Sequence, residues 1–285
     1  MQPNNQHLGQ PSPGPGPSPD VSPADGPGPE HAFGTEPALA LRGLHKAFGT
    51  KIAVDQVDLT VPRGSFFGLV GPNGAGKTTL LSMAVGLLRP DAGTAHLLGR
   101  DVWAQPMSAK SQLGVLPDGL AMPERLTGRE VLTFIGQLRG LDPDVLAQRT
   151  QELLDVMGLG SEERTLVVDY STGMRKKIGL ATALLHNPRV LVLDEPFEAV
   201  DPVSATTLKA LLRRYVTHGG SVVLSSHVMS LVEQLCDTVA VMADGVVAAA
   251  GPLDQVRGAG SLEDAFVRLV GGETQTSAGL AWLGS

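Results

Sequence analysis

With 285 residues and 42% hydrophobic content, the chain is long enough for one large domain or two modest ones around an ample core. Its 29 acidic against 22 basic side chains leave a net charge of −7 with no basic stripe, which excludes a nucleic-acid partner as an expectation. The single cysteine, Cys236, excludes an internal disulfide and a cysteine metal cluster and suits a reducing cytoplasm, and no stretch reaches the roughly 20 apolar residues of a membrane span, so a soluble chain is expected.

Residues 1 to 37 are dominated by Pro, Gly, Ser, Gln and Asn, hold no Lys or Arg, and offer little apolar surface to offset the entropy of ordering. They are expected to form a disordered tail that is neither a secretory signal nor a transit peptide. Order begins near Leu39: Leu39, Leu41 and Leu44, then the alternation Val57, Leu59, Val61, predict an antiparallel edge sheet. Phe48 lies between these strands, where an aromatic side chain could stack on a base or join the core.

Phe66, Phe67, Leu69 and Val70 predict a buried strand, and Thr79 to Leu88 a helix. Between them, Gly71-Pro72-Asn73-Gly74-Ala75-Gly76-Lys77-Thr78-Thr79 fills every place of the phosphate-loop template G-x-x-x-x-G-K-[ST]. The glycines let backbone N–H groups turn onto a polyphosphate at a helix N-terminus. Lys77 would reach the β- and γ-phosphates, and the Thr78 hydroxyl would ligate the magnesium that accompanies them. Pro90, in the turn from Arg89 to Gly93, is expected to stop the helix before a strand over Gly93 to Leu98. Leu113 to Pro117 predicts another short strand, which delivers Asp118 into a loop.

Thr127 to Glu130 fits a capping box ahead of Val131, Phe134, Ile135 and Leu138, with Gly140 as terminator. Asp142 and Pro143 cap a second helix carrying Leu146, Leu153, Leu154 and Met157. These helices interrupt the sheet as a helical subdomain, over about residues 119 to 180. It ends where the turn Tyr170 to Met174 opens onto a helix whose first turns carry Arg175, Lys176 and Lys177, an end that either faces phosphate or is simply solvated.

Val190 to Leu193 is apolar throughout, as a parallel strand covered on both faces requires, and it ends in Asp194-Glu195-Pro196. Neighbouring strand residues point opposite ways, so one carboxylate can hold magnesium through water while the other polarises an attacking water. A helix from about Ser204 to Val216 and a strand from Ser221 to Leu224 complete a βαβ unit, which puts His227 on the same sheet edge. A helix with Val228, Leu231, Val232 and Leu235 follows, then a hairpin from Val239 to Ala250 turning at Asp244-Gly245. Leu262, Phe266, Leu269 and Val270 predict a last helix before a loose tail.

Taken together, Leu39 to Val247 resembles the nucleotide-binding subunit of an ATP-binding-cassette transporter. The resemblance rests on motif order: Walker A at Gly71 to Thr78, a Q-loop at Asp118, a signature at Tyr170 to Met174, Walker B at Val190 to Glu195, a D-loop at Glu198 to Asp201 and a switch histidine at His227. It implies an α/β fold: a P-loop NTPase core with a mostly parallel sheet, an antiparallel β subdomain and an inserted α-helical subdomain. The domain would span residues 38 to 250, with residues 251 to 285 as a C-terminal helix and tail.

The same resemblance implies magnesium-dependent ATP hydrolysis with the two cassettes of a dimer closing head to tail. Phe48 would stack adenine, Lys77 and Thr78 would hold phosphate and magnesium, and Asp194 would hold magnesium through water. Glu195 would be the general base and His227 the γ-phosphate sensor, while Ser171, Thr172 and Gly173 would serve the nucleotide of the opposite subunit, identical or not. Separate transmembrane permease subunits would hold the chain at the cytoplasmic membrane face. Thr172 and Met174 depart from the usual LSGGQ, in the manner of cassettes that serve ABC-2-type exporters.

Asp118 stands where the family has glutamine. Contact with a γ-phosphate at about 4 Å would cost on the order of 4 kcal/mol at an effective dielectric near 20, so magnesium is expected between them. Two other functions stay open at this stage: a soluble regulatory cassette without a transport role, and a nucleotide-dependent binding protein that hardly hydrolyses.

Overall fold

The computed structural model describes residues 36–271. The tail expected over residues 1 to 37 lies outside them except for Glu36 and Pro37, and so does the tail after Gly271. Strands β1 (Leu39–Phe48) and β2 (Lys51–Val61) form an antiparallel pair, extended on the β1 side by β4 (Ala92–Leu97) and the two-residue β5 (Arg100–Asp101). This is the expected antiparallel sheet. Alternation builds it: Leu39, Leu41, Val57, Leu59 and Val61 are buried while Asp58 and Thr60 between them are exposed.

The second sheet has six strands. β3 (Phe66–Val70), β6 (Leu113–Leu116), β7 (Val190–Asp194), β8 (Ser221–Ser226), β9 (Thr238–Ala243) and β10 (Val246–Pro252) run in the order β10-β9-β3-β8-β7-β6. All neighbours are parallel except the β9–β10 hairpin. Its central strands β3 and β7 are apolar up to Asp194, and β8 is apolar over Val222 to Leu224, because both faces are covered. Phe66 and Val70 pack with Leu191, Leu193, Val222 and Leu224 against the helices, whereas Phe67, Leu69, Val190, Val192 and Val223 pack against the antiparallel sheet and helix α1 (Lys77–Ala84).

Register decides what meets at the sheet edge. Val70 pairs with Ser226 and Asp194 with Ser225, so the carboxyl ends of β3, β7 and β8 open onto one spot.

Between β6 and β7 lie α3 (Gly128–Leu138), α4 (Pro143–Val156) and α5 (Thr172–Leu184). Both halves of the Thr127–Glu130 capping box are made, and Asp142 caps α4 through the amides of Asp144 and Val145. Within the stripe predicted on α3, Val131 is buried and Ile135 partly so, but Phe134 and Leu138 are exposed.

Other boundaries move. Helix α1 is Lys77–Ala84, beginning two residues before the predicted start and ending well before Leu88. Gly86 ends it in a left-handed turn that returns the Leu87 amide to the Ser82 carbonyl, so Pro90 plays no part in stopping it. Helix α6 is Pro202–Thr217, because Asp201 caps it through the Ser204 amide. Strand β8 runs on through Ser225 and Ser226, and α7 (Met229–Leu235) follows. The hairpin turns at Asp244 and Gly245 as predicted, both with positive φ. Helix α9 (Leu262–Val270) matches the last prediction, while β5, α2 (Pro106–Lys110) and α8 (Leu253–Arg257) are elements too short for periodicity to reveal.

Candidate functional site

The loop from Gly71 to Thr79 joins β3 to α1 and is braced on both sides. Gly76 takes a φ of +101°, and a Cβ there would lie 2.3 Å from the Ala53 carbonyl oxygen of β2. Only glycine fits so close a backbone. On the other side, the Gly245 amide of the β9–β10 turn donates to the Ala75 carbonyl at 3.0 Å, and the Asp55 amide donates to the Gly245 carbonyl at 2.8 Å. The loop is therefore clasped between β2 and the hairpin turn.

Lys77 opens α1 and is buried, its Nζ donating to the carbonyls of Gly71 at 2.7 Å and Pro72 at 3.2 Å. Burial pulls the pKa of this ammonium below the usual lysine range, against the raising influence of the Glu195 and Asp194 carboxylates.

At the end of β7 the two carboxylates differ in setting. Asp194 is buried, with one oxygen accepting a hydrogen bond from the Ser225 hydroxyl on the neighbouring strand. The same hydroxyl accepts from the Glu195 amide at 3.0 Å. Glu195 has a φ of +45°, a left-handed conformation that costs a non-glycine residue energy and that turns its side chain off the line of the strand. Its Oε1 lies 3.1 Å from His227 Nδ1 and 3.8 Å from Lys77 Nζ, yet is shielded from solvent and receives no directed hydrogen bond. A buried carboxylate oxygen with its lone pairs free suits the acceptance of a proton.

These groups share one cleft of about 420 Å³. Asn73, Gly74, Gly76, Lys77, Thr78 and Thr79 line it from the loop, Glu195 and His227 from the sheet edge, and Phe48, half exposed at the end of β1, from the rim. Asp118 lines it too, but with a companion that the sequence reading leaves out: Lys176 Nζ stands 3.4 Å from Asp118 Oδ1. Gly71, Pro72, Ala75 and Asp194 are not among the residues that line the cleft.

The remaining candidates lie elsewhere. Ser171, Thr172 and Gly173, at the start of α5, do not line the cleft; the Ser171 hydroxyl caps its own helix by accepting from the Met174 amide at 3.2 Å. Of the three cations in α5, Arg175 donates to the Val168 and Tyr170 carbonyls, Lys176 turns to carboxylates, and Lys177 is buried against Ser204. Each of the three thus has a partner within the chain. Sequence reasoning also passed over Lys51, on the cleft wall, and Ser225, whose hydroxyl links the Asp194 carboxylate to the Glu195 amide. Ser225 had a signal, its place at the parallel strand end, whereas Lys51 had none.

The profile of the family described as ABC transporter matches residues 54–198. The daunorubicin/doxorubicin resistance ATP-binding protein DrrA of Streptomyces peucetius is 37% identical over 78% of this chain and 68% of its own length. The bacitracin transport ATP-binding protein BcrA of Enterococcus faecalis is 35% identical over 74% of this chain and 68% of its own. The Nod factor export ATP-binding protein I of Sinorhizobium fredii is 36% identical, with 73% of this chain and 61% of its own length covered. A solved structure described as the ATP binding subunit of an ABC transporter superposes with a TM-score of 0.76 at 27% identity, over 82% of this chain and 99% of that one.

Proposed function

We infer the working of the cleft from one premise: the chain belongs to the ABC transporter family. It is an ATP-binding, ATP-hydrolysing subunit of a membrane transporter, and the competing readings as a regulatory cassette or a mere binding protein give way. Among the described residues no helix is long and apolar enough to cross a membrane. Relatives named as transport and export ATP-binding proteins support separate permease subunits as partners, which would hold the chain at the cytoplasmic membrane face. Relatives named for drug resistance and Nod factor export, together with the Thr172 and Met174 signature, support an exporter.

The observation that carries the mechanism is the convergence of Lys77, Thr78, Glu195 and His227 on one cleft over buried Asp194. Backbone amides from Gly74 to Thr78 cradle the phosphates, and Phe48 at the rim stacks the base. Among the described residues no group of three or more His, Cys, Asp or Glu side chains is placed to hold a metal ion. Thr78 and Asp194 nonetheless supply hard oxygen donors that would hold magnesium, whereas Asp118, across the cleft, is paired with Lys176. Bound there, the ion supplies charge neutralisation for the γ-phosphoryl group. Glu195 takes the proton of the attacking water through its free Oε1, and His227 orients Glu195 and senses the γ-phosphate. Lys77 leaves the Gly71 and Pro72 carbonyls to balance phosphate charge. Ser171, Thr172 and Gly173 complete the cleft of a second subunit, identical or not, in head-to-tail closure.

Purified chain, assayed for ATP binding by calorimetry and for phosphate release with magnesium, tests this reading. Binding and release by the wild type, with release alone abolished in Glu195→Gln, is the expected result. Absence of ATP binding by the wild type would overturn it.

A further inference from the structure

The nucleotide cleft is more acidic than its task suggests. Asp118, Glu195 and Glu198 all line it, with Asp194 beneath, against Lys51, Lys77 and His227. A triphosphate brings up to four further negative charges, so where these carboxylates point matters.

Two of them share one counter-charge. Lys176, mostly buried on α5, holds its Nζ 3.4 Å from Asp118 Oδ1, 3.9 Å from Glu198 Oε2 and 3.4 Å from the Asp194 backbone carbonyl. It thus ties together the loop after β6, the end of β7, the loop after β7 and its own helix. The position of α5 is fixed independently. A Cβ on Gly173 would lie 2.6 Å from the Ala199 carbonyl oxygen, and buried Lys177 donates to Ser204 at 3.1 Å, so the helix rests directly on the segment that carries Glu198. The Lys176 ammonium reaches both carboxylates from the helix side, without lining the cleft itself.

We propose that Lys176 is a positioning residue that holds the Asp118 and Glu198 carboxylates off the triphosphate. The proposal rests on the nucleotide reading above and deepens it. It also gives Asp118 a place different from the one its charge alone predicts. The carboxylate is drawn to a protein cation, and magnesium is not needed to keep it from the phosphates. Without Lys176, Asp118 is free to turn into the cleft, where its charge opposes ATP most strongly when no metal is present.

The test is calorimetric binding of metal-free ATP, in chelator, to the full chain. Lys176→Met is expected to weaken binding about three- to tenfold, Lys176→Arg to stay near wild type, and AMP, with less charge, to feel the change less. A positioning role also predicts non-additivity. Asp118→Asn should change ATP affinity by less than about twofold in the wild type, but recover most of the loss in the Lys176→Met background. Thermal unfolding checks each variant, and Lys176→Gln, which keeps a donor for the Asp194 carbonyl, replaces Lys176→Met if that variant is unstable.

If the wild type binds ATP but the lysine variants bind equally well, the proposal is wrong. It is equally wrong if the effects of Asp118→Asn and Lys176→Met simply add, since Lys176 would then act on phosphate through space. A wild type that fails to bind ATP overturns the nucleotide reading itself.

Discussion

Lys77 and Glu195 sit 3.8 Å apart and illustrate how two buried charges divide a task. Lys77 is the loop's only side-chain cation, and the carbonyls that hold it are weaker partners than phosphate. Lys77→Ala is expected to reduce ATP affinity at least a hundredfold, read by calorimetry; affinity within threefold of wild type would refute its role. Glu195→Gln keeps the side-chain volume but loses the proton acceptor. ATP affinity should persist while phosphate release falls about a thousandfold, and in gel filtration with ATP and magnesium the variant should run as a stable dimer. A variant that hydrolyses normally and runs as a monomer would remove Glu195 from the mechanism.

At the scale of elements, the fold depends on short local devices that the sequence states openly. Thr127 and Glu130 exchange hydrogen bonds across the first turn of α3, with the Glu130 carboxyl held below its usual range chiefly by the Thr127 amide. Thr127→Ala should cost about 1 kcal/mol in equilibrium denaturation and leave ATP binding intact, since α3 contributes nothing to the cleft. Such caps, the hairpin at Asp244-Gly245 and the apolar strands β3 and β7 were all legible, because each is specified within a few residues. At the end of α1 two stop signals compete, and the nearer, Gly86, wins over Pro90. Phe134 and Leu138 kept the helical period without being buried, since periodicity marks a face and not what covers it. The partners of Lys176 were invisible for another reason: Asp118 lies 58 residues away, and only the packing of α5 brings the two together.

For the molecule as a whole, stability should fall in mild acid through a residue far from the chemistry. His186 lies just beyond α5, with Nε2 3.1 Å from the Leu113 carbonyl and Nδ1 shielded without a partner. Burial first, and then the nearby Arg139 and Arg149 guanidiniums, pull its pKa from 6.5 to about 4. The unfolded chain therefore takes up this proton near pH 6.5, which the folded chain resists until about pH 4. Stability is full above the higher value and declines through that window. With a discount for the ring's partial exposure, the loss should be about 1 kcal/mol between pH 7 and pH 5. Urea unfolding of wild type and His186→Gln at those two pH values measures it, and parallel slopes would refute it. Asp91, Asp101, Asp201 and Asp264 have carboxyl pKa values held below the usual range, so their contributions are lost only at lower pH.

The clasp on the phosphate loop, from Ala53 on one side and Gly245 on the other, bears on the thermodynamics of binding. A loop already hydrogen-bonded at its back loses little conformational freedom when an anion arrives at its front. The entropy lost on binding then falls mainly on the nucleotide. The Gly245 and Asp55 amides should accordingly exchange with deuterium slowly in the free protein, and ATP should slow them only slightly further. Association should proceed at a rate set by diffusion and charge, with no preceding rearrangement of the loop.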